Sequence, residues 1–284
     1  MFPAEDPRFR VRMLRLPSGV SVRAVECGDE GSRAILLYPG WACSVYTFRF
    51  VLPALAEMGY RAIAVDPKGH GLSDKPLGRS EYTAEAIAAD AIDIFDALAL
   101  DNPVIGGHSL GAVLAMRVAA ERRDAIRALL LYSPVGYRGV PALTLYRLLS
   151  PGFLRWLFPY VAWRWIADVT LRIGYGDVGK PLARDVDEYW APTQFPEFTL
   201  AIRDLLHQYD FGARRPFRLD TISHPSLVLY GTRDRLLDPL VTAKDAAGIE
   251  GAVVREIPGA GHVICEETPD LVLEATGRFL SLLV

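Results

Sequence analysis

The sequence predicts an α/β protein: one mostly parallel sheet, helices on both of its faces, and a helical insertion between the two halves of that sheet. Three observations predict it. Short apolar runs of strand length alternate with segments of helical character, the order expected of a sheet covered on both sides. The run Val104-Ile-Gly-Gly-His-Ser-Leu-Gly111 sets a serine between glycines where a strand passes into a helix. Finally, the alternation lapses over residues 135–216, a stretch with many aromatics and no clear strand, and then resumes.

Taken in order, residues 10–16 and 20–25 flank the glycine turn Pro17-Ser18-Gly19 and read as a β-hairpin. Residues 34–38 form a continuous apolar strand, 45–58 a helix, and 60–65 a second buried strand. Thr83 can cap a helix reaching to about Leu100, on which Ile87, Ala91, Ile94, Phe95 and Leu98 recur on one face. The strand 103–105, the helix 112–121 and the strand 128–132 follow. After the lapse come a strand at 226–230, a helix after Pro239, a strand at 252–257 and a last helix from Pro269. This order places residues 1–134 and 217–284 in one core and 135–216 in an insertion.

The 284 residues are 51% hydrophobic, enough for one large core, and carry a net charge of −3, which gives no reason to expect a nucleic-acid or anionic-membrane partner. Cys27, Cys43 and Cys265 lie far apart without a C-x-x-C pair, and no His/Cys cluster suggests a metal. No cofactor is implied. Charges and prolines fill the N-terminus where a secretory peptide would be apolar, and no apolar run reaches transmembrane length. The expectation is a cytoplasmic protein with no stable membrane insertion; the oligomeric state is not legible.

Gly107-His108-Ser109-Leu110-Gly111 is a G-x-S-x-G pattern in a strand–turn–helix context, which points to Ser109 as a nucleophile. Small residues two before and two after the serine are needed because the chain folds back so sharply. Gly106 to Gly111 also has P-loop spacing, but Ala112-Val113 stands where that motif needs Lys-Ser/Thr.

A serine hydroxyl needs a positioned base, and the base needs a partner that fixes its tautomer. His262, in a glycine-rich loop directly after a strand, is the candidate base, since a parallel sheet gathers such loops at one edge. His70 reads as a loop stiffener, His108 as pointing away from the site, and His207 and His224 as structural or solvated. For the acid, Asp234 lies just past the strand that resumes the sheet; Asp238, ahead of Pro239, reads as a helix cap, and Asp66 ranks below both.

Five segments carry a family resemblance: Leu36-Leu-Tyr-Pro-Gly-Trp41, Asp66-Pro-Lys-Gly-His-Gly-Leu-Ser-Asp-Lys-Pro76, Gly107 to Gly111, Gly231-Thr-Arg-Asp234 and Gly259-Ala-Gly-His262. Over nearly its whole length the chain resembles α/β-hydrolase-fold enzymes of the capped esterase, perhydrolase and epoxide-hydrolase-like group. Its order Ser109, Asp234, His262 matches the order of that fold. The resemblance implies an oxyanion hole from the backbone N–H groups of Trp41 and Leu110, and a helical cap formed by residues 135–216.

Departures narrow the chemistry. Pro39-Gly40 stands where relatives carry His-Gly. Ser109 replaces the aspartate nucleophile of related epoxide hydrolases, Ala42 their loop proline, and Val263 the lysine of hydroxynitrile lyases. The aromatics Phe153, Trp156, Phe158, Tyr160, Trp163 and Trp165 are expected to pack the cap or, for Trp156, Trp163 and Trp165 in particular, to wall a substrate pocket. The expected protein is a serine hydrolase of a small, apolar carboxylic ester or related acyl substrate. Alternatives are acyl transfer, or thioester, lactone or carbon–carbon cleavage on the same triad, or a ligand receptor on the same scaffold.

Overall fold

The computed structural model describes residues 1–135, 139–211 and 217–283. Eight strands form one sheet in the order β1-β2-β4-β3-β5-β6-β7-β8. They are β1 (Phe9–Arg15), β2 (Ser21–Cys27), β3 (Ala34–Tyr38), β4 (Arg61–Val65), β5 (Val104–His108), β6 (Ala128–Tyr132), β7 (Ser226–Gly231) and β8 (Val253–Ile257). The hairpin β1–β2 and the pair β2–β4 are antiparallel; every other pair is parallel.

Central strands are apolar along their whole length because both sheet faces are covered. In β3, β5 and β6 all residues are buried. Side chains alternate between faces, so Leu36 and Tyr38 of β3 join one core cluster while Ile35 and Leu37 join the other. The helices are α1 (Val51–Glu57), α2 (Ala84–Leu98), α3 (Leu110–Glu121), α4 (Pro141–Leu149), α5 (Arg164–Gly174), α6 (Ala183–Trp190), α7 (Pro196–Gln208), α8 (Pro239–Ala246), α9 (Ile264–Glu267) and α10 (Pro269–Ser281). Helices α2 and α3 pack on the first face, α1 and α10 on the second.

Two elements differ from expectation for local reasons. The single helix expected over 45–58 is a 3₁₀ turn at Val45–Phe48 followed by α1. Pro53 lacks the N–H that a continuous helix would need at its position, so the chain restarts with the proline in the first turn of α1. Helix α2 stops at Leu98 because Ala99 takes a left-handed conformation, φ 47°.

Between β6 and β7 the chain leaves the sheet and forms α4, a 3₁₀ stretch at Gly152–Tyr160, and α5 to α7. No strand occurs among the described residues of that interval. The expected end of the insertion at Pro216 lies outside the described residues. No described helix is long and apolar enough to cross a membrane.

Candidate active site

Strand β5 lies beside β3, where the winding of the sheet reverses, and its carboxyl end delivers Ser109 directly onto the start of α3. The turn is tight enough to define its residues. A Cβ on Gly107 would fall 2.4 Å from the carbonyl carbon of Gly111, and one on Gly111 would fall 1.9 Å from the Tyr38 oxygen. Ser109 itself sits at φ 55°, ψ −116°, a conformation that costs a non-glycine residue roughly 1–3 kcal/mol. Its backbone N–H donates to Tyr132 O at 2.9 Å, so the strained residue is held by the neighbouring strand β6.

Asp234 follows β7 and His262 follows β8, both at the same sheet edge as Ser109. The Asp234 carboxylate divides its oxygens. Oδ1 accepts from the backbone N–H groups of Leu236 (2.8 Å) and Leu237 (3.0 Å), and Oδ2 accepts from His262 Nδ1 at 2.7 Å. Burial pushes the Asp234 acid up, but the adjacent imidazole and these N–H donors outweigh it and hold it below the ordinary carboxylate value. An ionised partner on Nδ1–H leaves the lone pair on His262 Nε2, the tautomer a general base requires.

Ser109 and His262 line one cavity of about 360 Å³, a size that suits a small organic ligand. No hydrogen bond within 3.5 Å joins the two side chains. Asp238 lies apart from them and caps α8, accepting from Leu240 N at 2.9 Å. Asp66 is fully buried on Arg23, with 2.7 Å between them. His70 stiffens its loop through Lys68 O at 3.1 Å, and burial lowers its pKa to about 4. His207 and His224 bond Ser150 Oγ and Arg123 O.

His108 departs from expectation. Its ring does not point away from the site: it lines the same cavity and lies 4.9 Å from the His262 ring, centroid to centroid. Strand β5 ends at His108, and the reversal at Ser109 turns the chain so quickly that both side chains stay at the sheet edge.

Leu110 opens α3, so its N–H has no partner within the helix. Trp41 also lines the cavity, and its indole N–H donates to Ile202 O of α7 at 3.0 Å. Pro39 precedes Gly40, and Gly40 packs against the elbow: a Cβ there would lie 2.9 Å from His108 Nδ1.

The inserted helices supply the opposite wall, and their geometry separates the aromatics. On α5 the cavity-lining residues Ile166, Ala167, Thr170, Leu171 and Gly174 recur at helical spacing below the N-cap residue Trp163, whereas Trp165 does not line the cavity, although its ring lies 6.1 Å from that of Trp163, centroid to centroid. In the 3₁₀ stretch, residues three apart share a face, so Phe158 and Val161 look inward while Phe153 and Trp156 look out. Trp156 and Trp165 are therefore not part of the wall; they are 68% and 60% exposed, so they are not cap core either. Trp163 meets the cavity at its rim, 54% exposed.

Two groups escaped the sequence reading. Glu267 accepts from Gly176 N (2.8 Å), Asp177 N (2.9 Å) and Gly261 N (2.7 Å), strapping the histidine loop to the end of α5. Tyr189, on the cavity wall, donates to buried Glu266, which also holds Arg49 at 2.6 Å. The only signal was an adjacent pair of carboxylates inside an apolar run, Val263-Ile-Cys-Glu-Glu267.

Comparisons with known proteins agree with this architecture. A family model described as alpha/beta hydrolase fold matches residues 33–269. Epoxide hydrolase A of Mycobacterium tuberculosis is 27% identical over 93% of this chain and 95% of its own length. The uncharacterized hydrolase YugF of Bacillus subtilis is 24% identical over 92% of this chain and 95% of its own. Among solved structures, a serine hydrolase involved in carbazole degradation, the CarC enzyme, superposes with a TM-score of 0.80 at 22% identity, covering 96% of this chain and 99% of that one. The chain belongs to the α/β-hydrolase fold family.

Proposed function

We propose that the protein is a serine hydrolase that cleaves a small apolar carboxylic ester or a related acyl bond. The observation that carries this reading is the Asp234 carboxylate seated on His262 Nδ1 at 2.7 Å, at the same cavity edge as the strained Ser109. His262 Nε2 takes the proton as Ser109 Oγ attacks the carbonyl carbon. Leu110 and Trp41 N–H groups receive the negative charge that develops on oxygen. The imidazolium then protonates the departing alcohol, and water, deprotonated by the same imidazole, releases the acid from the acyl-enzyme. Residues 135–216 act as the cap that roofs the acyl site.

With Ser109 as nucleophile, the chemistry speaks against epoxide opening, the activity named for the Mycobacterium relative. A serine oxygen that attacks an epoxide carbon forms an ether, which water does not cleave; on a carbonyl it forms an ester, which water does. Turnover on Ser109 therefore calls for an acyl substrate. An apolar wall of Leu143, Ile166, Leu171 and Phe198 suits an uncharged acyl chain.

The test is hydrolysis of p-nitrophenyl esters of graded chain length, with lactones and thioesters alongside. Ser109→Ala is expected to lower kcat on the order of 10⁴ to 10⁶, and a serine-directed phosphonate to label Ser109 alone. Substantial turnover by folded Ser109→Ala protein would overturn the reading.

A further inference from the structure

We propose that His108, the residue before the nucleophile, is a positioning residue that fixes the peptide of His262 relative to Ser109. This rests on the triad reading above and adds a fourth side chain to it. His108 Nε2 lies 2.9 Å from the backbone oxygen of His262. A carbonyl only accepts, so the proton is on Nε2 and the ring donates. That assigns the lone pair to Nδ1, which is buried with no hydrogen-bond partner among the described residues and faces Gly40. Burial and the neighbouring His262 push the His108 pKa down to about 3, so the ring stays neutral across the working pH range.

The His262 backbone is thereby held on both sides of its Cα. Its N–H donates to Gly174 O at the end of α5, 2.7 Å away, and its C=O accepts from His108. Because His108 and Ser109 are adjacent, the same backbone segment that aims the nucleophile also sets the base. One ring touches all three loops of the site: Gly40 beside Trp41, the elbow itself, and the histidine loop. Neutrality matters as well. His262 becomes cationic during each turnover, and a second cation 4.9 Å away would oppose that step.

The proposal is tested by comparing side chains at one position on a p-nitrophenyl ester. His108→Gln carries an amide nitrogen at about the reach of Nε2, His108→Asn carries one that falls short, and His108→Leu carries none. Misplacing a catalytic group by about 1 Å costs up to roughly a hundredfold in rate. The expected result is kcat down about 10- to 100-fold in Leu and Asn, within about fivefold in Gln, with KM within about twofold throughout. The rate of phosphonate labelling of Ser109 should fall in the same order. If His108→Leu fails to fold, the ranking of Gln above Asn carries the test. Equal kcat values for all folded variants, or Gln no better than Asn, would overturn the positioning role. Such a result leaves the triad standing, because loss of turnover in Ser109→Ala is an independent measurement.

Discussion

The sheet edge and the inserted helices meet across one cavity but are built on different physics. At the edge, Ser109, Asp234 and His262 each follow a parallel strand, and the backbone there is tied within one or two residues to a neighbouring element. In the insertion, helices with one inward stripe lie over the site and leave Leu148, Phe153, Trp156 and Tyr160 two-thirds or more exposed. The contrast teaches where precision resides. Ladder hydrogen bonds fix the strand ends, while the inserted helices are placed by an inward apolar stripe and by a few ties, such as Gly174 O to the His262 N–H.

Substitutions on the two sides should differ accordingly, and the largest effect is expected at the edge. Asp234→Asn should lower kcat by roughly 10³ to 10⁴, because an amide can donate to Nδ1 and reverse the imidazole tautomer. Asp238→Asn should cost less than about 1 kcal/mol of stability and leave kcat unchanged, since asparagine also caps helices. Steady-state kinetics and thermal melts on the pair check this, and the reverse ranking would move the acid to Asp238.

In the insertion the expected effect is on selectivity. Trp163→Ala should change the ranking of short against long acyl esters through kcat/KM. Each buried methylene is worth about 0.8 kcal/mol, so a shift of about fourfold per carbon is the expected scale. Trp156→Ala should leave the chain-length profile as it was. If Trp156→Ala alters the profile as strongly, the inward and outward faces of the 3₁₀ stretch have been misassigned.

The smallest effect is on stability against pH. His70 and His108 have folded pKa values pushed from 6.5 to about 4 and about 3 by burial. As pH falls below 6.5 the unfolded chain takes up these protons and the folded chain does not, so stability is present above pH 6.5 and drains as pH drops toward 4. His70→Asn, which keeps a donor near Lys68 O, should flatten the fall in Tm between pH 7 and about 4 without abolishing it, because His108 still contributes. An unchanged slope in His70→Asn would show that His70 is not buried as neutral imidazole.

Legibility in the sequence followed the same division. Strands β3, β5 and β6 announced themselves as apolar runs because both faces are covered, and Gly107 and Gly111 marked the elbow because no other residue fits there. The candidate positions of Ser109, Asp234 and His262 followed from where strands end. What the sequence did not yield depends on rotation and distance between elements. Trp163, at the N-cap of α5, lines the cavity while Trp156 of the 3₁₀ stretch and Trp165 of α5 do not, and no local pattern tells the three apart. His108 was misread because alternation along a strand predicts opposite faces for neighbours, and the left-handed φ of Ser109 cancels that rule at one residue. The Glu267 strap joins residues about ninety positions apart, beyond any local pattern.

That strap gives the roof a second property. Gly174 O holds the His262 N–H, and Glu267 holds Gly176, Asp177 and Gly261 together. The approach there is so close that a Cβ on Gly176 would lie 2.3 Å from Gly259 O. Raising the C-terminal end of α5 would therefore pull on the backbone of His262 itself, so the roof on that side and the histidine loop move as one body.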